Sequence, residues 1–79
     1  MREGYHQVHH LRSGATRLKV LDFIVTYCQM NGYSPTIREI RDGVGLKSNG
    51  NVQQHLDRLF DAGLIRHNPN QIRSIVPAS

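Results

Sequence analysis

The apolar positions of this chain change their rhythm along its length, and each change marks an element. From Thr16, the residues Leu18, Leu21, Val25 and Cys28 recur at helical spacing, with Val20, Ile24 and Tyr27 beside them. Thr16 can cap this first helix, and Asn31-Gly32 stops it, since glycine accepts the left-handed conformation past a last turn. At about 100° per residue, only Lys19, Asp22, Thr26 and Gln29 form a clean polar wedge. A helix apolar around the rest of its circumference is expected to be buried on more than one side. Thr36 opens a second helix as N-cap, Glu39 completes a capping box three residues on, and Ile37 and Ile40 turn inward. Gly43-Val44-Gly45-Leu46 is the predicted break. Gly45 supplies the positive φ of a tight helix-to-helix turn, and Val44 and Leu46 fill the angle between the helices.

Ser48 caps the third helix, whose apolar face is Val52, Leu56, Leu59 and Phe60, and Gly63 ends it just past Ala62. The opposite face carries Gly50, Asn51, Gln53, Gln54, Asp57, Arg58 and Asp61. Two extended runs follow, residues 64–67 (LIRH) and 72–76 (IRSIV), joined by the turn residues Asn68-Pro69-Asn70-Gln71. The order is helix, helix, tight turn, helix, hairpin. That is a mainly α chain with a small β-hairpin, a three-helix winged helix-turn-helix. Residues 1–14 carry few apolar side chains and read as a flexible N-terminal tail, which leaves 15–77 as the winged helix-turn-helix domain.

Composition narrows the setting. With 79 residues there is room for one thin core, because a chain this short buries only about 60–70% of its unfolded surface. No apolar run is long enough to span a membrane, and no apolar stretch behind the first basic residue suggests a signal peptide. A single cysteine, Cys28, excludes an internal disulfide and fits a reducing, cytoplasmic compartment. The net charge of +4 and the isoelectric point near 9.8 favour a polyanionic partner.

The third helix says more. Its first turn, Ser48-Asn49-Gly50-Asn51, has no acid, although the helix dipole rewards negative charge there. In a helix-turn-helix, that end enters the DNA major groove. An acid there would face phosphates, small residues permit close approach, and Asn or Gln matches the adjacent N6 and N7 of adenine. On these grounds the candidate base readers are Asn51, Gln53 and Gln54, with the small residues Ser48 and Gly50 letting the helix approach. The candidate phosphate contacts are Arg38, Arg41, Lys47, Arg58, Arg66 and Arg73, which position a domain without reading sequence. The bland reading of Asn51, Gln53 and Gln54 is a solvated helix face, and of the six cations, ordinary surface charge. Cys28 reads as core and His55 as a packed histidine. His6, His9 and His10 in the tail could hold a metal weakly, but the trio reads as incidental. No nucleophile motif, phosphate loop or paired metal ligands occur, so neither a cofactor nor an enzymatic activity is expected.

The segments GYSPTIREI, VGLKS, VQQHLDRL, AGLIR and IRSI resemble, in order and spacing, the DNA-binding domain of the LexA-type repressors of the bacterial SOS response, over roughly residues 16–76. The resemblance implies a three-helix domain with a two-stranded wing that binds an inverted-repeat operator in double-stranded DNA as a dimer and represses transcription. Carried across by position, it also assigns base contact to Ser48, Gly50, Asn51, Gln53 and Gln54. Two departures bear on function. LexA-type repressors continue into a self-cleaving serine–lysine protease domain that supplies most of their dimerisation, and this sequence stops at Ser79, so autocleavage is not expected of it. In the recognition segment Gly50 adds flexibility and Gln53 and Gln54 are uncharged, so an operator sequence does not transfer. Alternative readings are an interaction module that pairs with or competes against a full-length LexA-like repressor, and an excised domain of a longer repressor. The apolar surface of Leu18, Phe23, Val25 and Met30 would serve a homodimer on DNA or such a heteromer, unless the tail folds Val8 and Leu11 back over it.

Overall fold

The computed structural model describes residues 3–68, 70–71 and 73–78, with the side chains of residues 3–13 excepted. Three helices come first: α1 (Glu3–Asn31), α2 (Ile37–Val44) and α3 (Asn49–Asp61). Two short antiparallel strands, β1 (Ile65–Arg66) and β2 (Val76–Pro77), close the chain, with Ile65 opposite Pro77 and Arg66 opposite Val76. This is the expected winged helix-turn-helix.

The local signals act as their chemistry requires. Thr36 Oγ1 accepts the Glu39 amide at 3.1 Å, and Glu39 Oε1 accepts the Thr36 amide at 2.9 Å, completing the capping box. Gly45 takes φ 87° at the end of α2. Its amide and that of Leu46 both donate to Arg41 O at 2.9 Å, turning the chain sharply into α3. Ser48 caps α3 by accepting the Asn51 amide at 3.2 Å. Two helices are thereby started and one is stopped by residues within a few positions of each end.

The core is one cluster built from the three helices and the hairpin. Val20 and Ile24 come from α1, Ile40 from α2, Val52, Leu56 and Leu59 from α3, with Ile65 in β1 and Ile75 just before β2. Leu21, Phe23, Cys28, Ile37, Val44 and Leu46 pack half-buried around it. Burial pushes the Cys28 thiol pKa up, which fits its reading as core.

The structure corrects four details of the sequence reading. Helix α1 is continuous from Glu3, so it neither starts at Thr16 nor lets residues 8–11 fold back over it. A lone interior glycine costs about 1 kcal/mol and does not by itself stop a helix. At 1.5 Å per residue the 29 residues of α1 are about 44 Å long, which matches the longest dimension of the molecule, 44 Å against 26 and 23 Å. Gly43 lies inside α2 and not in the break, and a Cβ there would fall within 3 Å of the Phe23 ring. Phe60 leaves the buried face and is 54% exposed, since at about 100° per residue it stands at the edge of the arc set by Val52, Leu56 and Leu59. The second strand is shorter and later than residues 72–76, because Arg73 adopts φ 61°, which no strand can continue.

Candidate nucleic-acid interface

The third helix presents its first turn bare. Residues 47–51 are all exposed, Ser48 is occupied as the cap, and no acid lies in the turn. Gly50 has only the Ser48 hydroxyl near its missing side chain, at 3.7 Å, so the surface there is open. Opposite the buried Val52, Leu56 and Leu59 stand Gly50, Gln54, Asp57 and Asp61, at about 100° per residue. Asn51 and Gln54 are exposed, whereas Gln53 is half-buried and donates from Nε2 to Asp57 Oδ1 at 2.9 Å. Four of the five expected base-reading residues thus share an exposed, uncharged surface, and Gln53 sits at its flank.

The six expected phosphate contacts divide into two groups. Among the described residues, Arg38, Lys47, Arg58 and Arg66 are exposed and make no ion pair or side-chain hydrogen bond. Arg41 is half-buried, donates from Nε to Asp42 Oδ1 and from Nη1 to Asn49 Oδ1, each at 3.1 Å, and so ties α2 to the first residue of α3. Arg73 is also engaged. Its Nη1 and Nη2 meet the two Glu39 oxygens at 3.0 and 3.1 Å, and Nη1 donates to Ser34 O at 2.9 Å. Its guanidinium carbon lies 4.8 Å from the centre of the Tyr33 ring. The Arg73 guanidinium and the Thr36 amide hold the Glu39 carboxyl at a pKa of about 2.

Between α2, α3 and the hairpin runs an open groove of about 860 Å³. Ile37, Phe60 and Ile75 give it an apolar floor, and Arg38, Asp57 and His67 stand on its polar rim. Sequence reasoning missed it, since it depends on how the hairpin docks against α3. The exposed Phe60 was its only trace in the residue pattern, and the pattern pointed that side chain inward.

Cys28 and His55 take the places expected of packed residues. The His55 Nδ1 is buried without a hydrogen-bond partner, and burial, then the charge of Arg17, pushes its pKa down. The trio His6, His9 and His10 lies outside the described side chains, and no metal-binding cluster forms among the described residues. No helix among them is long and apolar enough to cross a membrane.

A helix-turn-helix with a free cationic rim, an acid-free helix start and a β wing defines the class: a winged-helix nucleic-acid-binding domain. Comparison with known proteins then places it more narrowly. The LexA DNA binding domain family matches residues 14–74, and the chain belongs to that family. It is 46% identical over 67 residues to the LexA repressor of Syntrophomonas wolfei, an alignment covering 85% of this chain and 33% of that protein. The LexA repressor of Exiguobacterium sibiricum is 47% identical over 57 residues, 72% of this chain and 28% of its own length. That of Carboxydothermus hydrogenoformans is 46% identical over 57 residues, again 72% and 28%. The chain spans about a third of the length of these curated relatives.

Proposed function

We propose that the domain binds double-stranded DNA in a sequence-specific way, laying the first turns of α3 in the major groove, and represses transcription as a LexA-type regulator. One observation carries this reading. The exposed start of α3 has no acid, while α2 in the same chain has one in its first turn. The chain accepts less helix stability where a polyanion must approach. Ser48, Gly50, Asn51, Gln53 and Gln54 face bases in this reading. Arg38, Lys47, Arg58 and Arg66, without ion-pair partners among the described residues, meet phosphates, and the α3 amides add a phosphate site.

A single winged-helix module buries only about 600–1,000 Å² on DNA, which gives weak selectivity alone. We therefore assign it an inverted repeat on which two copies pair. Half-sites moved apart by half a helical turn would face opposite sides of the duplex and lose cooperativity.

Selection of bound duplexes from a random pool, followed by titration in rising salt, tests the reading. Four neutralised phosphates per domain give a slope of about −3 to −4 in log K against log salt. A slope near zero, or no enrichment of any sequence, would remove sequence-specific DNA binding. Tighter binding to a purified full-length LexA-like repressor than to any selected duplex, titrated alongside, would favour the competitor reading instead.

A further inference from the structure

Arg73 stands in an unusual place for a surface cation. It is the one described residue other than glycine with a positive φ, 61°, a conformation that a side-chain-bearing residue keeps only when its surroundings hold it. The holding contacts reach across the sequence. The guanidinium fork grips Glu39, 34 residues earlier, caps Ser34 O, 39 residues earlier, and lies over the Tyr33 ring, which meets Tyr27 edge-on at 5.8 Å.

Glu39 is already in use. Its Oε1 accepts the Thr36 amide that starts α2, so a single carboxylate serves both the helix-turn-helix and the wing. The loop at the tip of the wing is closed on itself. The Asn68 amide donates to Ser74 Oγ at 3.0 Å, and that hydroxyl lies 2.8 Å from Asn68 O and 3.1 Å from Gln71 O. Among the described residues, the loop is tied to the body by a strand pair of two residues each, extended by the Ala78 amide on Leu64 O at 3.1 Å, by the buried Ile75 and by Arg73.

We propose that Arg73 is a positioning residue for DNA binding: it sets the wing against the α2–α3 motif through Glu39 and does not itself contact phosphate. The inference rests on the DNA-binding reading above. It reserves phosphate contact on the wing for Arg66, which has no internal partner among the described residues. Bidentate pairing is the geometry in which arginine cannot be replaced by lysine, so the role is specific to the guanidinium.

The test compares Arg73→Gln, Arg73→Lys, Glu39→Gln and the double variant Arg73→Gln/Glu39→Gln with the parent. Glu39→Gln removes the charge but keeps an oxygen for the Thr36 amide. Binding of a fluorescein-labelled random-sequence duplex is measured across a salt series, where circular dichroism shows every variant folded. All three single variants should lose affinity by a similar factor, about twofold to thirtyfold, as expected when a residue acts without touching the ligand. The double variant should be no worse, and the salt slope should not change. Amide exchange at Asn68, Asn70 and Gln71, whose amides are bonded within the loop, should quicken in each variant, which a general loss of stability would not confine to the wing.

A direct phosphate contact gives the opposite pattern. Arg73→Gln alone would then weaken binding and flatten the salt slope by about 0.9. Glu39→Gln would leave affinity unchanged or raise it by freeing the arginine, and Arg73→Lys would rescue. If the parent itself fails to bind DNA, the DNA-binding reading falls, and amide exchange still judges the clamp. Unchanged wing exchange in Glu39→Gln would overturn it.

Discussion

Replacing Gly43 by alanine separates two effects that ordinarily act together. Alanine is the better helix former, and in an open position within a helix it stabilises by about 0.5–1 kcal/mol. Gly43 has an ordinary helical φ, so the backbone accepts the change. Space does not. A Cβ at this position would fall within 3 Å of three atoms of the Phe23 ring, which packs against the core and lies 5.6 Å from the ring of Tyr27. Moving the ring costs about 1–3 kcal/mol, the usual range for overpacking. The net expectation is a loss of up to about 2.5 kcal/mol, or up to roughly 20 °C in Tm for a domain of this size. Thermal unfolding followed by circular dichroism measures it. In a Phe23→Leu background the same glycine-to-alanine change should become neutral or stabilising, with a coupling of about 1–3 kcal/mol. A Gly43→Ala variant that melts higher than the parent would refute the argument and place the Phe23 ring elsewhere.

Three further outcomes are expected. Gln54→Ala should cost about 1–3 kcal/mol on the best selected duplex and little on random DNA, whereas Lys47→Ala should weaken both equally, as band-shift titrations would show. Glu39 has its pKa lowered from 4.5 to about 2, so its stabilising contribution is present above 4.5 and should disappear as pH falls toward 2; Glu39→Gln should flatten acid unfolding in that window. The pKa of His55 is pushed below 6.5, so the fold favours the neutral ring, and stability should decline as pH falls below 6.5 and level off under the lowered folded value. His55→Gln should abolish that decline in urea unfolding at a series of pH values.

The parts of this fold that are legible in the sequence depend on residues three or four apart. Thr36 with Glu39, Ser48 with the Asn51 amide, and the face of Val52, Leu56 and Leu59 are local statements, and each stands in the structure as read. Helix α1 shows where that legibility ends. It is apolar around most of its circumference, so its sequence does not choose a face. Packing selected Val20 and Ile24 for full burial and left Leu18 64% exposed and Met30 79% exposed. Long-range pairings were out of reach for the same reason. Nothing near Arg73 announces Glu39, and without that partner the arginine reads as one more surface cation. The uncharged, exposed character of the α3 start was legible, since it needs only composition and a cap. The free or engaged state of each surrounding arginine needed the three-dimensional contacts.

The two short helices of the motif invite one last comparison. Helix α2 begins with Thr36 and answers it with Glu39, while α3 begins with Ser48 and has Asn51 at the equivalent position. Asn51→Glu would complete the missing capping box, since Ser48 already accepts the amide at position 51. In the free protein this should raise stability by about 0.5–1 kcal/mol, from the added cap and from an acid at the positive end of the helix. On DNA the same carboxylate would stand among phosphates. At a separation of about 7 Å and an effective dielectric of about 40, each neighbouring phosphate opposes it by about 1 kcal/mol. Two such neighbours, together with removal of the asparagine side-chain amide that faces a base in the proposed reading, should weaken binding by more than about tenfold. The variant should therefore melt higher and bind worse, a divergence that no general damage to the fold produces. Thermal unfolding and band-shift titration of one preparation decide it. If Asn51→Glu melts higher and binds duplex DNA as tightly as the parent, the bare first turn of α3 has no part in approaching a polyanion, and the reading of this helix falls with it.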